Sequence, residues 1–261
     1  MSVEAENTPV AVVTGAAGGI GSAVASCLGR DGFRLALVDW PGAALDDLAA
    51  RLQEEGYQAA AFASDVRDSA DTSHCAEAVL ETFGRMDALV TCAGIGRIDP
   101  ITQTPDDVWH DTLATNLTGT FWWSREAVAH MRERGGVIVM VSSVTALVGL
   151  PGRGAYSAAK AGVIGLARTL AIECAGEGIR VIAVCPGATR TGLVQQGYDR
   201  SPDPQAAQRA HAALQPIGRL SEPEEIAETI AFACSPRAAT ITGATLIVDG
   251  GYTAGGPSWN T

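Results

Sequence analysis

The chain is short of basic residues. Its 261 residues carry 18 Lys and Arg against 29 Asp and Glu, a formal net charge of −11, and no block of like charges reads as a tail. Nucleic acid and anionic membrane are therefore not expected partners. Any phosphate must be held chiefly by backbone N–H groups and a helix N-terminus, because no basic patch is available. Long apolar runs are also missing: none approaches the roughly 18 residues needed to span a bilayer. The opening MSVEAENTPV lacks a basic stretch followed by an apolar one, so the expected location is the cytoplasm. The six cysteines (Cys27, Cys75, Cys92, Cys174, Cys185 and Cys234) make no C-x-x-C pair and no zinc-like spacing. They read as buried, reduced thiols, and no metal is expected. Charged residues are only 18% of the chain and hydrophobic ones 47%, which excludes a disordered polymer and allows a substantial core.

What is present is an alternation. Short runs rich in Val, Ile, Leu and Ala occur at 10–15, 34–39, 58–65, 87–94, 136–143, 179–187 and 244–251. Segments of helical period fall between them, near 19–30, 42–55, 69–84, 105–134 (with an expected break), 155–175 and 223–234. Apolar runs without strict alternation suit strands buried on both faces. The pattern predicts an α/β fold, a Rossmann-type doubly wound sheet of seven mainly parallel strands with helices on both faces. No linker divides the alternation, so residues 1–261 are expected to form one domain. The long interruption at 188–221 follows a strand's C-terminal end and is expected to serve as a substrate-binding insert or lid.

The first strand runs into TGAAGGIG, which sets Gly15, Gly18, Gly19 and Ile20 between strand and helix. Glycine allows the tight turn and close approach of a phosphate, and the helix that follows offers unpaired N–H groups. About 20 residues on, LALVDW ends the second strand with Asp39 beside Trp40. A carboxylate there can accept from adenosine ribose hydroxyls and would repel a 2′-phosphate, which favours NAD over NADP.

The TGAAGGIG turn resembles the T-G-x-x-x-G-x-G motif of the short-chain dehydrogenase/reductase family, and later motifs extend the likeness over nearly the whole chain. Relatives that use NADP commonly carry a basic residue where this chain has Gly18. The resemblance implies that Asp65 and Val66 border the adenine, with Asp65 accepting from its amino group. TCAG, residues 91–94, stands where the family typically reads N-N-A-G; Ala93 and Gly94 still allow the cofactor to approach. CPGATRT resembles the family's nicotinamide segment. It implies that Pro186 borders the ring, that the Thr189 backbone binds the carboxamide, and that Thr191 contacts carboxamide or phosphate.

Tyr156 and Lys160 lie four residues apart in GAYSAAKAG, a spacing that puts both on one helix face. Ser143 ends the fifth strand thirteen residues before Tyr156. This Ser…Tyr-x-x-x-Lys spacing matches the family's catalytic set, and Asn116 in LATNLTGTF matches its fourth member. A free tyrosine, with a pKa of about 10, is a poor base at neutral pH. An ammonium that lowered it by about two units would contribute roughly 2.7 kcal/mol, so Tyr156 is expected to exchange the substrate proton under the influence of Lys160. Ser143 is expected to donate to the substrate oxygen. Tyr156 and Lys160 are also expected to contact the cofactor, Lys160 at the nicotinamide ribose, and Asn116, by analogy, to hold a water leading to Lys160.

The reading is an NAD-dependent oxidoreductase acting on a secondary alcohol or ketone. Its alternatives are an NADPH-dependent 3-oxoacyl-thioester reductase and a non-catalytic dinucleotide-binding sensor or scaffold. Phe121, Trp122 and Trp123 in GTFWW, with Trp259 in the tail, offer anchors for the homotetramer that the resemblance implies. Three adjacent aromatics on a helix must point in different directions.

Overall fold

The computed structural model describes residues 7–42, 44–199 and 201–255. Its seven strands are β1 (Val10–Thr14), β2 (Arg34–Asp39), β3 (Ala59–Ala63), β4 (Ala88–Thr91), β5 (Gly136–Val141), β6 (Ile179–Pro186) and β7 (Thr245–Val248). They form one sheet in the order β3-β2-β1-β4-β5-β6-β7. Every neighbouring pair is parallel, so all the C-terminal strand ends lie along one edge. The strand order reverses between β1 and β4, which opens a crevice at that edge.

Nine helices accompany the sheet: α1 (Gly19–Arg30), α2 (Leu45–Glu54), α3 (Ser69–Phe83), α4 (Asp106–Leu113), α5 (Gly119–Met131), α6 (Gly154–Glu173), α7 (Gly192–Asp199), α8 (Pro204–Ala213) and α9 (Pro223–Cys234), counted among the described residues. Side-chain alternation along β1 divides the core. Ala11 and Val13 join Val24, Leu28, Leu48, Ile226 and Ile230, from α1, α2 and α9. Val10 and Val12 join Val79, Phe83, Trp123, Val163 and Ala167, from α3, α5 and α6. Apolar faces on both sides explain why the strands lack a polar face.

Three local features differ from the expected ones. First, β4 stops at Thr91, so Cys92, Ala93 and Gly94 lie beyond the strand, at the crevice. Second, the segment 105–134 is not interrupted: α4 passes into α5 through a π-helical turn, Ala114–Thr118. Third, the insert 188–221 is mostly helical, comprising α7 and α8. Its neck is closed by hydrogen bonds from the Arg190 N–H to Ser221 (2.8 Å) and from the Ser221 N–H to Ala188 (2.9 Å).

Of the GTFWW aromatics, Trp123 is fully buried, whereas Phe121 is exposed and packs 4.8 Å from Trp122. Trp259 lies outside the described residues. Five of the six cysteines are buried, and Cys92 is partly so. No helix among the described residues is long and apolar enough to cross a membrane.

Candidate active site

The turn after β1 is so tight that only glycine suits it. Gly15 has φ +65°, and a Cβ there would come within 2.5 Å of the Ala93 nitrogen. The ends of β1 and β4 are thus in backbone contact beneath the crevice. Gly18 caps α1 without a side chain, and no acidic residue stands in that helix's first turn. The unpaired N–H groups and the positive end of α1 are left available to an anion.

Two adjoining cavities, of about 450 and 540 Å³, share Gly15, Ala17, Gly18, Cys92 and Gly94 on the two sides of this turn. Asp39, Trp40, Asp65, Val66 and Ala93 line one. Gly19, Ile20, Ser143, Tyr156, Lys160, Pro186, Thr189 and Thr191 line the other. An uncapped helix end at the junction, a carboxylate at one extremity and the Tyr–Lys pair at the other fit a dinucleotide laid across the turn.

At the end lined by Trp40, Asp39 is already anchored. Its carboxylate accepts from the Ala17 N–H (2.8 Å) and from the Trp40 N–H (2.7 Å). Asp65 accepts from Arg67 through Nε (3.0 Å) and Nη2 (3.0 Å), and this guanidinium holds the Asp65 pKa below the ordinary range while burial opposes it. Arg67 also lies 4.7 Å from the centre of the Trp40 ring. The sequence reading omitted Arg67. Its position two residues after Asp65 gave the signal, but the stacking on Trp40 comes from β2, far away in the chain.

At the other end the strand edge grips α6. The Ser142 hydroxyl donates to the Lys160 carbonyl (2.7 Å), and Lys160 Nζ donates to the Val141 carbonyl (2.8 Å). Lys160, the only lysine in the chain, is 3% exposed, and its Nζ lies 5.7 Å from the centre of the Tyr156 ring. Burial pushes its pKa down to about 8. The Ser143 Oγ accepts from the Thr145 N–H (3.2 Å).

Burial raises the Tyr156 pKa, opposed first by the charge of Arg153 and then by a hydrogen bond with Ser143. The sequence pointed to Lys160 as the charge beside the phenol, and its Nζ does lie near the ring. Burial outweighs the nearby positive charge, and the charge that opposes it belongs to Arg153, 5.8 Å from the ring centre.

Asn116 stands behind this wall, fully buried in the π-helical turn. Its amide nitrogen donates to Ile95 (2.9 Å) and Thr112 (2.9 Å) carbonyls. That fixes the amide's orientation and turns Oδ1 toward Gly94, where a Cβ would meet it at 2.7 Å and Lys160 Nζ at 3.6 Å. Among the described residues, Oδ1 is a buried acceptor without a protein partner. Such atoms are rare in proteins and mark places where water or ligand chemistry completes the set. A π-turn at a functional position is a common device for aiming one side chain.

The start of the insert reaches this cavity, where Thr191, Gly192 and Val194 stand in the same lining as Tyr156 and Lys160. The insert's α7 and α8 are joined by a hydrogen bond between Tyr198 and His211 Nδ1 (2.8 Å) and an edge-on ring contact at 5.8 Å. Tyr198 is 7% exposed.

With this geometry in view, similarity to known proteins is specific. A family model described as enoyl-(acyl carrier protein) reductase matches residues 15–253. The 2-(S)-hydroxypropyl-CoM dehydrogenase 3 of Xanthobacter autotrophicus is 42% identical over 97% of this chain and 100% of its own length. The cis-4-hydroxycyclohexanecarboxylate dehydrogenase of Sinomonas cyclohexanicum is 42% identical over 94% of this chain and 96% of its own. A crystal structure of an actinorhodin polyketide ketoreductase with NADPH superposes with a TM-score of 0.91 at 34% identity, over 95% of this chain and 98% of that one. The chain belongs to the short-chain dehydrogenase/reductase family of nicotinamide dinucleotide-dependent oxidoreductases.

Proposed function

We propose that the protein is an NAD-dependent dehydrogenase of a secondary alcohol, or the reductase of the matching ketone, working as one catalytic domain with 188–221 as its lid. The observation that carries this reading is the continuous crevice with Asp39 at one end and Ser143, Tyr156 and Lys160 at the other. Relatives support the substrate class, since their names specify 2-(S)-hydroxypropyl-CoM and cis-4-hydroxycyclohexanecarboxylate.

The nicotinamide, when bound, supplies or accepts the hydride. Pro186, Thr189 and Thr191 would hold it, and the α1 N-terminus with Gly15, Gly18, Gly19 and Ile20 would hold the pyrophosphate. Asp39 would accept from the adenosine ribose, with Trp40, Asp65, Val66, Ala93 and Gly94 around the base. The carboxylate of Asp39 disfavours a 2′-phosphate by like-charge repulsion.

Tyr156 takes the hydroxyl proton during oxidation and returns it during reduction. Ser143 donates to the same substrate oxygen, where charge develops, and so favours the transition state over the ground state. Lys160, protonated at neutral pH with its pKa near 8, holds the nicotinamide ribose. It relays the proton toward a water accepted by the unpartnered Oδ1 of Asn116. The exposed Phe121 on α5 supports association into a homotetramer, which mass measurement in solution checks.

The test is a panel of secondary alcohols and ketones followed by nicotinamide absorbance with each cofactor. The expected result is turnover with a preference for NAD(H). Clear preference for NADPH would overturn the role given to Asp39. Tight cofactor binding without turnover of any substrate would overturn the enzymatic reading.

A further inference from the structure

We propose that Arg153 binds an anionic group on the substrate, so that the enzyme selects secondary alcohols or ketones carrying a carboxylate or sulfonate a short chain away from the reacting carbon. The proposal rests on the alcohol–ketone reading above and adds the substrate class to it.

Arg153 is the residue before α6, three positions ahead of Tyr156. Its guanidinium is over the Tyr156 ring, 5.8 Å from the centre. A Cβ on Gly96 would meet Nη1 of Arg153 at 3.3 Å and the Tyr156 ring at 3.2 Å. From the lid side, the Arg153 charge lowers the His211 pKa, reinforcing the larger effect of burial. Arg153 thus lies among the candidate proton carrier, the loop after β4 and the insert.

This half-buried cation is unmatched. Among the described residues, Arg34, Arg67, Arg85 and Arg180 are the other arginines not fully exposed to solvent. Each donates to carbonyls or carboxylates. Arg190, the other basic residue flanking the substrate region, is engaged by Glu222 at 3.0 Å. No carbonyl or carboxylate of a described residue accepts from the Arg153 guanidinium. Burial lowers its pKa, and Tyr156 is the one group whose charge opposes that. A desolvated guanidinium without an anion is costly, and its planar fork matches a carboxylate or sulfonate. The substrate is the component that can bring the anion.

A matched methyl-ketone series, ending in methyl, carboxylate or sulfonate, tests this by NADH oxidation with the native enzyme, Arg153→Gln and Arg153→Lys. The native enzyme should prefer an anionic member in kcat/KM by about 10- to 100-fold, the range expected of one charge-assisted hydrogen-bond pair. Arg153→Gln should abolish that ratio mainly through KM, and Arg153→Lys should retain part of it. Equal loss on charged and neutral ketones would mean that Arg153 acts only through Tyr156, and would overturn the proposal. So would native preference for the neutral ketone.

If no ketone is reduced, the reaction reading fails and the anion site is judged separately. Butanoate or butanesulfonate should then change the fluorescence of enzyme-bound NADH saturably, and Arg153→Gln should remove the response. No response in the native protein would overturn the anion site as well.

Discussion

Replacing Lys160 by methionine should make the apoprotein more stable at neutral pH while removing its activity. The native fold keeps this ammonium at 3% exposure and lowers its pKa from 10.5 to about 8. The unfolded chain therefore holds the proton across a window in which the native one has released it. Unfolding takes up a proton between those values, so native stability rises with pH across the window, and the penalty is fully present below about pH 8. The two pKa values differ by an amount worth about 3 kcal/mol. Methionine escapes that penalty but leaves the Val141 carbonyl without its 2.8 Å donor, a loss of about 1 kcal/mol. The variant should thus be more stable than the native protein by about 2 kcal/mol near pH 7. Its advantage should shrink and then reverse as the pH approaches the ordinary lysine value. Urea unfolding of both proteins, followed by far-ultraviolet circular dichroism from pH 7 to 10, measures the gap; ionisations common to both cancel. A less stable variant at pH 7, or a gap that does not change with pH, would refute the reasoning.

Two further outcomes follow from contacts near the cavities. Asp39→Asn retains an acceptor for the Ala17 N–H but loses the charge proposed to face the ribose. A charge pair about 4 Å apart is worth about 1 kcal/mol in water and about 4 kcal/mol at an effective dielectric of 20, so kcat/KM should shift toward NADPH by at least tenfold relative to NADH; an unchanged ratio would contradict the assignment. Tyr198→Phe removes the 2.8 Å link to His211 that ties α7 to α8. The expected result is a several-fold rise in substrate KM, with cofactor affinity unchanged and global stability lowered by about 1 kcal/mol. Hydrogen exchange should quicken in α7 and α8 and not in the sheet.

The sheet was legible because strands buried on both faces must be apolar throughout, and all seven runs became strands of the one sheet. The glycine turn was legible for a similar reason: a backbone contact as close as that at Gly15 leaves no other residue type. Spacing along the chain also foretold that Ser143, Tyr156 and Lys160 would line one cavity. Composition conveyed less about the π-helical turn, since Asn116 has no periodic signature and its partner Ile95 lies far away in the chain. The two helices of the insert went unseen because they are short and one begins at Pro204. The sequence pointed to Lys160 beside Tyr156 but not to Arg153. Burial and the approach of Arg153 depend on how the residues before α6 fold back beside Gly96, which no local pattern records.

Tyr156 is proposed to carry the substrate proton in a cleft whose other residues supply most of the contacts to the cofactor. Single-turnover kinetics of Tyr156→Phe, with NADH bound and a ketone that the native enzyme reduces, test this most directly. The account predicts native-like NADH affinity and a hydride-transfer rate lowered by at least about 100-fold, the contribution typical of positioned acid–base groups. A hydride-transfer rate close to native in a folded, NADH-saturated variant would contradict it.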